Sequence, residues 1–415
     1  MKRTSKFAIA SVSLLALAAC GQAQDLGQGG GTQDPTTSDN SGTGAASGPV
    51  TCAADYSFAL RSASLALTGR LPSWSDLSAL IAAENDSAKQ KEIYEKSIDT
   101  ALASKEFAAE MVRFFHNMFA TGNLANQRMR TDNNGMVQYM PDQDCAATFA
   151  ASIVVNDKKY TDLFTATTGT CPTFDEATGT FTDGNVLDEA GQPVAMVGVL
   201  NDPGIMKNYA SNMAFRRVRF VQETFACTKF PSETGGKPTP MGSSLYTSPW
   251  PFDAITGGEG ARVNFKDTSA VICANCHQSM NRIAPLFANF SLTTGLYSDQ
   301  IQVRVPVQGT PAAQLKDWLP DGEGLAWRFD KPVQTLAELG TTMSADKEVA
   351  QCFVNRVWNH TFSRGDIVRE LATIPTDLTA EEAKAFAADG FNVKNLIRRV
   401  LKSETYVNQK SGGAR

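Results

Sequence analysis

The chain has 415 residues, 42% of them hydrophobic and 20% charged, with a formal net charge of −5 at pH 7. That length accommodates one large domain or two to three ordinary ones, and the composition is that of a soluble globular protein. The slightly acidic balance has no basic footprint for nucleic acid, so no nucleic-acid partner is expected.

Lys2 and Arg3 precede an apolar stretch from Phe7 to Ala19 that is too short to span a membrane, the pattern of an export signal over residues 1–19. The stretch ends in Leu17-Ala18-Ala19-Cys20-Gly21, which resembles the lipobox of bacterial lipoproteins. The resemblance implies cleavage before Cys20 and a lipid anchor on Cys20, through which the chain would meet the membrane. An ordinary signal peptide cut near the same place is the alternative. Gly21 and Gln22 supply no acidic residue to retain the protein at the inner membrane, so the outer membrane is the favoured location in the cell envelope.

Gln22 to Pro49 is rich in Gly, Ser, Thr, Gln and Asp, and residues 20–50 read as a flexible, lipid-anchored linker. The remainder divides into a helical N-terminal domain over 51–230, with a loop and hairpin excursion, and a helical C-terminal domain over 231–415. Apolar spacing predicts a helix over Tyr56–Thr68, ended by Gly69, and another after Ser73, whose pairing with Asp76 is a capping box. Lys89–Ala103 and Glu106–Phe119 are two more, the latter burying Val112, Phe115, Met118 and Phe119. Thr121 to Gln143 reads as a long polar loop. Thr161 to Asp188 reads as short hairpins, and Asn201-Asp-Pro-Gly204 as a terminating turn. Asn212–Phe225 is helical and carries Arg216, Arg217 and Arg219, a solvated face or partners for haem propionates.

Cys273-Ala-Asn-Cys276-His277 is the attachment signature of a c-type haem. Two thiols a short turn apart add to the two porphyrin vinyl groups as thioethers, and the adjoining histidine lies under the iron as its proximal ligand. A redox Cys-x-x-Cys, a disulfide and half a zinc site are the alternatives, but zinc would require two further close-spaced ligands. One covalent haem c is therefore expected on Cys273 and Cys276, with His277 on the iron. Beyond it, Ser344 is expected to cap a helix running to Ser363. Thr379 with Glu382 forms another capping box, and Val393, Leu396, Ile397, Val400 and Leu401 form an amphipathic stripe.

Setting aside Cys20, Cys273 and Cys276 leaves Cys52, Cys145, Cys171, Cys227 and Cys352, an odd number in an oxidising compartment. Cys145 with Cys171 closes a modest loop and is the first choice of disulfide; Cys227 with Cys352 is the second.

Several separated segments point to one family: Leu67-Thr-Gly-Arg-Leu-Pro72, Phe215-Arg-Arg-Val-Arg-Phe220, Cys273 to Phe290 with Gly295, Asn355-Arg-Val-Trp-Asn-His360 through Gly365, and Gly390-Phe391 followed by Lys402-Ser-Glu-Thr-Tyr406. They resemble the planctomycete-type cytochrome c proteins of bacteria, whose domains have no defined function. The chain departs from that family's Asp-Pro-Leu/Ile-Gly and Glu-Asn-Phe-Asp stretches, reading Asn281 to Pro285 and Ala288 to Ser291 instead. The resemblance implies an exported mono-haem protein. The expected fold is mainly α, a multi-helix body with long irregular loops and a segment like that of class I cytochromes c in the C-terminal half.

The iron's sixth ligand separates electron transfer from ligand binding. Met343, read as lying on a loop just ahead of the helix capped by Ser344, is the first candidate. His360, Met241, His116 and an open site follow. The expected role is an electron carrier with redox partner proteins. A haem-dependent oxidoreductase, peroxidase-like or degrading polymers at an open distal face, is the alternative enzyme reading, and a structural lipoprotein a third.

Overall fold

Asp55, Ser73, Asp86 and Ser104 each accept a hydrogen bond from the backbone N–H three residues on, and each starts a helix. These are α1 (Tyr56–Thr68), α2 (Trp74–Ala82), α3 (Ser87–Leu102) and α4 (Lys105–Phe119). The computed structural model describes residues 54–121, 129–131, 135, 137–210, 212–230, 239–240, 247–248, 271–305 and 311–408. Cys20, Cys52 and Met241 lie outside them.

The chain continues through α5 (Cys145–Val155), α6 (Asp162–Thr165), α7 (Pro203–Asn208), α8 (Phe215–Ala226), α9 (Val271–Met280) and α10 (Leu315–Trp318). It ends with α11 (Leu336–Ser344), α12 (Lys347–Thr361), α13 (Thr376–Ala388), α14 (Val393–Lys402) and α15 (Glu404–Val407). The fold is mainly α. The strands among the described residues pair as four antiparallel hairpins: Met129–Thr131 with Val137–Tyr139, Thr173–Asp175 with Thr180–Thr182, Thr239–Pro240 with Thr247–Ser248, and Ala326–Trp327 with Lys331–Pro332. Among the described residues no helix is long and apolar enough to cross a membrane.

Helix α5 is the centre of the body. Every residue from Cys145 to Val154 is buried, and α4 lies along it. One apolar core runs from Tyr56 to Val407 and crosses position 230, with α8 packed on α12. The first described helix and the last meet: Asp55 N–H donates to the Val407 carbonyl at 2.9 Å, and the buried Tyr94 hydroxyl donates to Leu401 O at 2.7 Å. Both expected disulfides, Cys145–Cys171 and Cys227–Cys352, are formed.

Four local expectations are corrected. Residues 121–143 contain the first hairpin, which a polar, Asn-rich stretch does not advertise. Asn201-Asp-Pro-Gly204 starts a helix: Asp202 caps α7 through Ile205 N–H, and Pro203 occupies the first turn, where its missing N–H costs nothing. Ser344 ends α11, and Asp346 caps α12 in its place. Thr379 is fully buried inside α13, bonded to Asn355 and Gln351, so it cannot cap that helix.

Asp202 is 2% exposed, and burial pushes its carboxyl up to about 7. A raised carboxyl favours the native state fully below the ordinary carboxylate value, and that contribution is lost as pH rises through about 7. Asp202→Asn keeps the cap and removes the charge. The variant is therefore expected to gain stability at pH 8, on the order of 4 kcal/mol for a shift of this size, and little at pH 4. Urea unfolding of both proteins at the two pH values measures it; parallel pH profiles would refute the assignment.

Candidate haem-attachment site

Positions 273, 276 and 277 all fall on α9, and residues three apart share a helix face, so the two cysteine positions stand on one side. The His277 ring is fixed from two directions. Its Nδ1 lies 3.1 Å from Asn281 Oδ1, and Phe215 of α8 meets it edge-on with ring centroids 4.8 Å apart. Asn281 is buried, four residues further along, where the chain turns out of α9. Burial lowers the His277 imidazole below its ordinary value and the Asn281 contact opposes that, which favours the neutral ring that ligates metals. The second ring nitrogen of a ligating histidine is ordinarily held in this way, which sets the tautomer and leaves Nε2 as the coordinating atom.

Helix α8 is the wall behind α9. Ser279 of α9 donates to Gln222 of α8 at 3.5 Å, while Met280 is buried at the end of α9. Pro285 then opens a 3₁₀ turn over Ala284–Phe287. The donor set fits a c-type haem: two cysteine positions one turn apart, and a neutral imidazole anchored at Nδ1.

Of the distal candidates, Met343, His360 and His116 stand on other elements. Met343 is fully buried in the last turn of α11, on a helix rather than on a loop before one. That helix packs against α6, α12 and the hairpin at Ala326–Trp327. The α12 residue His360 has Nε2 3.1 Å from the Ala66 carbonyl and its ring edge-on to Phe114, and burial lowers its pKa. In α4, His116 Nδ1 is 3.2 Å from both oxygens of Thr121, and its Nε2 is 3.4 Å from Asp144 Oδ1. The structure thus places positions 273, 276 and 277 on one helix and leaves Met343, His360 and His116 each in its own packing.

The arginines of α8 are neither a solvated face nor a uniform basic patch. Arg216 is exposed, Arg219 pairs with Glu223 at 2.8 Å, and Arg217 is completely buried. Sequence reading missed Asn281 and Phe215; the i, i+4 spacing of Asn281 from His277 was the available signal. Comparison with protein-family models, with curated proteins and with solved structures finds no match.

Proposed function

We propose that this chain is an exported, lipid-anchored c-type cytochrome that carries one covalent haem and passes electrons to redox partner proteins in the bacterial cell envelope. It resembles the planctomycete-type cytochrome c proteins, with a haem segment like that of class I cytochromes c. The observation that carries the reading is Cys273-x-x-Cys276-His277 on one helix, with the His277 ring held at Nδ1 by Asn281.

Each residue has a stated task. Cys273 and Cys276 supply the thioether sulfurs. His277 supplies Nε2 to the iron, Asn281 holds the ring in one tautomer, and Phe215 keeps it from rotating. When bound, the haem supplies one-electron exchange between ferric and ferrous iron. The protein contributes burial, ligation and a docking edge. Cys20 supplies the anchor, and the stretch after it a tether.

The test is expression with a c-type maturation system. The full chain is expected to retain haem through denaturing electrophoresis, to give a c-type pyridine haemochrome, to cycle reversibly between ferric and ferrous forms, and to partition with membranes. Cys273→Ala/Cys276→Ala should lose the haem, and Cys20→Ser should lose the membrane association alone. Haem that acidified solvent extracts from the parent protein would rule out covalent attachment.

A further inference from the structure

A second group of chemically active residues lies away from α9, around the first residue of α5. A small pocket there is walled by Tyr139, Asp142, Cys145, Cys171, Asp202 and Pro203. One potential ligand atom from each of Asp142, Cys145 and Cys171 falls within 4.8 Å of the others. Cys145 and Cys171 are 3% and 5% exposed, so this is an interior constellation rather than a chance grouping of surface acids.

Asp202 adds the observation that points to a ligand. It lines the same pocket at 2% exposure, and its two oxygens differ. Oδ1 accepts from Ile205 N–H at 2.9 Å, whereas Oδ2 is buried with no hydrogen-bond partner among the described residues. A buried carboxylate oxygen without a donor is costly, and a second acidic residue beside it adds to the cost. The backbone holds the two segments against each other. At Gly204 a Cβ would stand 2.7 Å from the Asp142 carbonyl and 3.0 Å from Asp202 Oδ1. Only glycine lets the start of α7 approach the Asp142 segment so closely.

We propose that reduction of the Cys145–Cys171 disulfide turns this pocket into a site for one zinc-class divalent cation, held by the two thiolates and the Asp142 carboxylate with Asp202 as fourth donor. With the disulfide closed, the sulfurs are committed to each other and offer no thiolate to a metal. An external dithiol supplies two electrons, the S–S bond breaks, both sulfurs take a proton, and the dithiol leaves as its own disulfide. Zinc then displaces the two thiol protons to solvent and forms two Zn–S bonds without changing its oxidation state. At Zn–S distances of about 2.3 Å, a tetrahedral pair of thiolates stands about 3.8 Å apart, so the sulfurs need only swing out of bonding contact. Two thiolates with two carboxylates suit a borderline-soft ion.

The experiment is zinc content per chain after anaerobic reduction of the full-length protein, exposure to zinc sulfate and gel filtration. The reduced parent is expected to retain one zinc more than reduced Cys171→Ser, a difference in which every other cysteine cancels. The oxidised parent is expected to lack that extra equivalent. Asp202→Asn, which keeps its helix cap, is expected to bind the extra zinc about tenfold or more weakly, the smaller end of the losses seen when a metal site's supporting groups are removed. Equal zinc in the reduced parent and Cys171→Ser would overturn the site. Unchanged affinity in Asp202→Asn would overturn its fourth donor, and that readout stands even if Cys171→Ser fails to fold.

Discussion

Alanine at both Cys227 and Cys352 is expected to lower the free energy of unfolding by about 5 kcal/mol, the value the chain-entropy relation assigns to the loop that this disulfide closes. The two residues are 125 positions apart, and Cys227 caps α8 while Cys352 is buried within α12. Within that loop lie α9, the 3₁₀ turn after it, the buried residues Trp318 and Trp327, and α11. Without the cross-link, the unfolded chain regains the freedom of the whole segment, while the native state keeps the packing of α8 on α12. The Cys145–Cys171 disulfide spans only 26 positions, so its removal should cost less, about 3.5 kcal/mol on the same relation. Urea titrations of the alanine pairs, compared with the parent, give both values. A loss below about 1 kcal/mol for the Cys227/Cys352 pair, no more than an ordinary substitution causes, would show that the loop is already restricted in the unfolded state.

What the sequence made legible follows from where each signal resides. Helix α14 is half in water, so its apolar residues fall on one stripe, and Val393, Leu396, Ile397, Val400 and Leu401 are all buried as that stripe requires. Helix α5 is buried on every side from Cys145 to Val154. Its sequence has no polar face and hence no period to detect, although α4, α6, α7 and α14 all pack against it. Helix starts were legible where the cap is local, as at Ser73 with Asp76, and misread where tertiary contacts decided between two polar residues. Asp346, held by Trp327 Nε1 at 2.7 Å and Lys331 Nζ at 2.7 Å, displaces Ser344 as the cap of α12. The Cys-x-x-Cys-His pattern was legible because it is local: two cysteines and a histidine on one helical stretch. The support behind it was not, because Phe215 reaches His277 from a helix far back in the chain.

Arg217 is the clearest case of a residue whose role only the folded chain reveals, and Arg217→Met is expected to cost about 3–5 kcal/mol. Its guanidinium is completely buried with no acidic partner among the described residues, and donates instead to four backbone carbonyls. Nε reaches Met206 O at 2.8 Å, Nη1 reaches Phe287 O at 2.9 Å and Phe290 O at 3.0 Å, and Nη2 reaches Ser291 O at 3.0 Å. Burial pushes its pKa down to about 10, which still leaves it charged at neutral pH. The carbonyls belong to α7 and to the segment that follows the His277 helix, so one side chain fastens both to α8. Gly295 makes the same junction from the other side: at φ +73°, a Cβ there would lie 2.0 Å from the Pro203 carbonyl of α7. Methionine keeps the apolar stem of arginine but donates nothing, so four carbonyls at the heart of this junction lose their donor. Arg217→Lys keeps the charge without the planar fork and should recover less than half of the loss. Urea unfolding ranks the three proteins, and amide exchange should show residues 281–291 opening first in Arg217→Met. If Arg217→Met instead unfolds within about 1 kcal/mol of the parent, the fork is not what holds the segment behind His277 in place.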